Sequence, residues 1–162
     1  MFKNLLLSII FALSFLPAIS MEPTASAIVY EGPQLTCDMQ EIEIKALNGF
    51  ETLGWIVYKY LPEQKAEITL FEVDQGMRNN TEHRIGQHLF QQCINDAIAH
   101  NCTHVIWTAN PTSDLDLMSL CTIYEKLVKK LENSESYQLT KSEIYGKHNK
   151  KIDMTLSLKH KS

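Results

Sequence analysis

Between residues 85 and 97 the apolar side chains Ile85, Leu89, Cys93, Ile94 and Ala97 recur at helical spacing, in a chain whose other apolar runs follow the shorter period of strands. That change of period restricts the fold to a mixed one. Before the helix, Glu41 to Leu47 alternates polar and apolar, Asn48-Gly49 marks a turn, and Gly54 to Tyr60 and Ala66 to Val73 are β-branched and aromatic. These three runs read as an antiparallel meander. A polar loop from Asp74 to Asn80 leads into the helix, which ends near His100-Asn101.

Thr103 to Ala109 is the next strand, closed by Asn110-Pro111. Ser113 with Asp116 forms a capping-box-like start to a second helix, whose stripe runs through Leu117, Leu120, Cys121, Tyr124, Leu127, Val128 and Leu131. The chain closes with a hairpin, from Tyr137 to Tyr145 and from Ile152 to Leu158, across a polar turn. The expected order is β-β-β-α-β-α-β-β, an α/β (α+β) fold with a central, mostly antiparallel sheet and two main helices. There is room for one further short strand, Ile28 to Tyr30.

At 162 residues the chain holds one core of ordinary size, and 44% apolar with 21% charged residues excludes a disordered or fibrous chain. The net charge of −4 gives no electrostatic reason to expect nucleic acid. Cysteines at 37, 93, 102 and 121 can pair in three ways or remain buried thiols. His100, Cys102 and His104 crowd together, but they span a helix end and a strand start, so no metal is expected there.

Met1-Phe2-Lys3-Asn4, an apolar run from Leu5 to Leu16, Pro17 and then Ala18-Ile19-Ser20 form the three regions of a signal peptide over residues 1–20, with the domain at 28–162. The run is short for a bilayer span, so a secreted or periplasmic protein with no membrane segment after cleavage is expected. Ala25-Ser26-Ala27 offers a second cleavage site. The alternative is a leader that is never cut and stays as an N-terminal anchor, and if Met21 is instead the initiator, the protein is cytoplasmic.

The order of elements, together with Ile123-Tyr124-Glu125-Lys126-Leu127, Asn110 upstream of it, and Gly86-Gln87-His88-Leu89-Phe90 at the first helix start, resembles the GNAT N-acyltransferases over about residues 41 to 158. The tyrosine segment is similar to that family's Phe-Tyr-Glu-Lys-Leu-Gly-Phe, with Val128 and Lys129 where Gly and Phe are expected. The frame Thr81-Glu82-His83-Arg84-Ile85-Gly86 keeps only the last glycine of the family's phosphate loop. The sequence before Glu41 has no room for the two helices that follow the family's first strand.

The resemblance implies acetyl-CoA as co-substrate, its pantetheine arm between two splayed strands and its pyrophosphate on backbone N–H groups where the helix begins. Val73, Arg78, Arg84, Ile85, Gly86, Gln87 and Asn110 are the implied cofactor residues. Tyr124 takes by position the role of the acid that protonates the departing thiolate, and Glu67 that of the base for an incoming amine. The implied acceptor is an amine of a small molecule or of a protein. The other reading is a non-catalytic secreted GNAT-like binding domain, which export favours because acyl-CoA is a cytoplasmic metabolite.

Overall fold

The computed structural model describes residues 27–37, 40–78, 84–112, 114–147 and 149–158. The signal segment over residues 1–20 and the first half of the phosphate-loop frame, Thr81-Glu82-His83, lie outside them.

Nine regular elements follow one another: β1 (Val29–Leu35), β2 (Ile42–Asn48), β3 (Glu51–Leu61), β4 (Lys65–Val73), α1 (Ile85–Ala99), β5 (His104–Ala109), α2 (Leu117–Lys129), β6 (Tyr137–Lys141) and β7 (Ile152–Leu158). The strands form one seven-stranded sheet in the order β1-β2-β3-β4-β5-β7-β6. Only the β4–β5 contact is parallel, because α1 carries the chain from the end of β4 back to the start of β5.

Several boundaries differ from the expectation, β3 for example starting at Glu51 rather than Gly54. β1 is longer than Ile28 to Tyr30, since it pairs with β2 on both sides of an irregularity between Glu31 and Gln34. The first arm of the final hairpin stops at Lys141, and beyond it only the isolated Tyr145–Lys151 bridge remains. α2 starts one residue after Asp116, whose carboxylate accepts from the N–H groups of Met118 and Ser119 at 2.9 and 3.0 Å. Asp116 is therefore the N-cap itself, with the geometry that satisfies the free donors of a first turn. Ser113 lies outside the described residues.

Both helices lie on one face of the sheet. α1 buries Ile85, Leu89, Phe90, Cys93, Ile94 and Ala97 against Ile44, Ile56, Tyr58 and Ile68 of the strands. Each large side chain so buried contributes about 1.5–3 kcal/mol. At Gly54 the helix comes so close that an added Cβ would sit 3.3 Å from side-chain atoms of both Ile85 and Leu89, and 2.9 Å from the Glu72 carbonyl oxygen. A glycine there fixes where the first turn of α1 rests on β3.

The opposite face carries the residues of the other register. Lys45 pairs with Glu43 at 2.8 Å and Lys59 with Glu67 at 3.1 Å, and no described helix covers them. Trp55, Val57, Leu70 and Ile106 share that face with the charged pairs, so it is mixed in character, and Val57 is buried on it.

Candidate active site

β4 and β5 are hydrogen-bonded neighbours only over Lys65 to Ile68 and His104 to Trp107. Past Ile68 and Trp107 they part. The parting coincides with a bulge in β4: Tyr58 faces Ile68 and Val57 faces Leu70, so Thr69 is the extra residue, its hydroxyl donating to the Val57 carbonyl at 3.3 Å. A bulge raises local twist and re-aims the residues beyond it. Here it turns Phe71 and Val73 to the helix face and leaves Leu70 41% exposed.

Four rings close over the fork on that face. Tyr124 of α2 lies 5.3 Å from the Trp107 ring and 6.2 Å from the Phe71 ring, so it bridges the two diverging strands. Phe90 of α1 completes the group, 6.0 Å from Phe71 and 5.6 Å from Trp107. Burial, assisted by Cys121, pushes the Tyr124 phenol up to about 12. Its hydroxyl has no hydrogen-bond partner among the described residues. Neither has the indole N–H of Trp107, a side chain only 3% exposed, nor the buried Oε1 of Gln87.

The other sequence-derived residues fall around this fork. Val73 ends β4, and its carbonyl accepts from Arg78 Nε at 2.9 Å. Arg78 also reaches Asp114, in the loop between β5 and α2, at 3.9 Å. Arg84 precedes α1 in the left-handed conformation and supplies no side-chain cap to the helix. Ile85 is a core residue, so only its backbone faces the loop. Gln87 donates to the Lys130 carbonyl at 3.2 Å and ties α1 to the end of α2. Asn110 is exposed just beyond β5.

Two placements change the physical argument. A Cβ on Gly86 would point at Val73 Cγ2 (3.4 Å) and Phe71 Cζ (3.6 Å), so the residue faces the sheet and its small size serves helix packing on β4. Glu67 stands on the helix-free face, bound to Lys59, and so on the opposite side of the sheet from Tyr124. The ring group was missed in the sequence because strict alternation from Ile68 puts Leu70 inside and Phe71 outside.

Solved structures with this arrangement include several acetyltransferases. The chain has the fold of the GNAT acetyltransferases. A protein assigned to the GNAT family from Desulfovibrio desulfuricans matches 81% of this chain and 99% of its own, with a TM-score of 0.59 at 10% identity. A Bacillus subtilis acetyltransferase in complex with CoA matches over 82% and 99%, with a TM-score of 0.56 at 13% identity. An aminoglycoside 6′-N-acetyltransferase complexed with coenzyme A matches over 76% of each chain, with a TM-score of 0.56 at 16% identity. No family model and no curated protein sequence matches, so this is a divergent version of the GNAT fold.

Proposed function

We propose that the protein is an acyl-CoA-dependent N-acyltransferase that moves an acetyl group to an amine of a small molecule or a protein. The observation that carries this reading is the fork between β4 and β5 with the Tyr124 phenol seated across it. The thioester arm of acetyl-CoA enters the fork. Its pyrophosphate lies at the start of α1, where the Arg84 side chain does not cap the first-turn N–H groups. Arg78 and Arg84 are the cations beside it.

The amine approaches from the helix-free face, which carries Glu67. Its nitrogen bonds to the thioester carbon, the C–S bond breaks, and the electron pair leaves on sulfur. The amine loses one proton to Glu67, directly or through water, and the departing sulfur, held by the Tyr124 O–H, takes its proton from solvent. A phenol held at about 12 binds its proton more tightly than a thiol of ordinary pKa, about 8.5, so Tyr124 acts chiefly as a hydrogen-bond donor to the departing sulfur.

The test is release of CoA thiol from acetyl-CoA in the presence of an amine panel that includes an aminoglycoside and a peptide N-terminus. Tyr124→Phe is expected to lower kcat about 10- to 100-fold, the low end for a general acid, with the dissociation constant of acetyl-CoA unchanged. No thiol release with any amine would refute the reading.

A further inference from the structure

We propose that the Trp107 indole N–H is a hydrogen-bond donor to a carbonyl oxygen of the bound acyl-CoA, an inference that rests on the acyltransferase reading. Trp107 is the last residue of β5 paired with β4, so its side chain sits at the crotch of the fork. It packs edge-on to Phe90, at 81°, and beside Tyr124. Its Nε1–H is sealed from water and has no acceptor among the described residues.

An indole N–H in a core ordinarily has a partner, and leaving one without costs about 1–3 kcal/mol. A phenylalanine at this position would pack with the same neighbours at no such cost. Phe71 and Phe90 offer no oxygen, and the Tyr124 hydroxyl is itself unpartnered. The indole N–H is therefore left without a bonded acceptor at the crotch, since the Tyr124 hydroxyl oxygen makes no bond to it. A carbonyl oxygen threading between the rings supplies that acceptor. Acyl-CoA brings such oxygens in its thioester and in the amides of its pantetheine arm. At the thioester the oxygen becomes negative as the amine adds, so a fixed donor there strengthens in the transition state.

The test uses the full chain and two replacements, Trp107→Phe and Trp107→3-benzothienylalanine, the second in a Trp55→Phe background. The second keeps the bicyclic shape and deletes only the N–H, so it reads the bond even where the phenylalanine leaves a cavity. Both are expected to bind acetyl-CoA about tenfold more weakly by calorimetry, the equivalent of about 1.4 kcal/mol. The benzothienyl variant should unfold at the same or a higher denaturant concentration than its Trp55→Phe parent. A merely structural Trp107 predicts the reverse pattern, lost stability with affinity intact.

Free CoA lacks the thioester oxygen and separates the two sources. Loss confined to acetyl-CoA assigns the bond to the thioester, while equal loss with both assigns it to a pantetheine amide. Unchanged affinity for both ligands in the benzothienyl variant overturns the proposal while leaving the acyltransferase reading intact. Absence of acetyl-CoA binding to the unmodified chain overturns both.

Discussion

Asp96, in the last turn of α1, is where the core of this protein meets its most demanding polar group. Its carboxylate accepts from the Tyr58 hydroxyl at 2.6 Å and from the Tyr60 hydroxyl, and Tyr60 also lies 2.6 Å from His100 Nδ1. Burial first, and the bond to Asp96 second, raise both phenols above their usual 10. A raised phenol pKa means that the folded chain holds its proton where the unfolded chain releases it. This stabilisation is complete below pH 10 and is lost as pH rises toward the folded value. Fully buried Tyr58 alone then contributes a decline of up to about 1.4 kcal/mol per pH unit. Urea unfolding between pH 9 and 11 should show it, and Tyr58→Phe should flatten it. An equal slope in that variant would mean that other groups govern alkaline stability. None of this network was legible in the sequence, because Tyr58 and Asp96 are 38 residues apart and only the register of β3 under α1 brings them together.

Among the elements, the amphipathic stripes of α1 and α2 and the alternation in β2 and β7 were legible because each is a local pattern imposed by one buried face, while β3 was legible from its β-branched and aromatic content. The bulge at Thr69 was not. One inserted residue reverses every side chain beyond it, and nothing in Thr69-Leu70-Phe71 distinguishes that register from the regular one. The same limit applied to glycine: Gly86 drew attention through a motif, whereas Gly54 is the position where α1 and β3 leave no room for a side chain. Gly86→Ala places its methyl group in ordinary contact and improves helix propensity by up to about 1 kcal/mol, so both stability and acetyl-CoA affinity should hold or rise. Gly54→Ala should lower stability by about 1–3 kcal/mol, because the new methyl group presses on the Glu72 carbonyl. Thermal unfolding of the two variants checks this. A Gly86→Ala variant that folds normally but loses affinity would place phosphate against that residue after all.

Over the described residues the fold has two layers, with both helices on one face of the sheet and the Lys45–Glu43 and Lys59–Glu67 pairs on the other. The acid-side and base-side candidates, Tyr124 and Glu67, are thereby placed on opposite faces with the fork at the boundary between them. A thioester held in the fork can be attacked from one face while its sulfur is attended from the other, and that geometry is the basis of the functional proposal. Everything in it depends on acyl-CoA entering between β4 and β5. The most direct measurement is calorimetric titration of the full chain with acetyl-CoA. The account predicts saturable binding at one site, with a dissociation constant within about 1 μM to 1 mM, the span of ordinary enzyme substrates. No heat of binding at about 5 mM ligand, several times the weak end of that span, would contradict it.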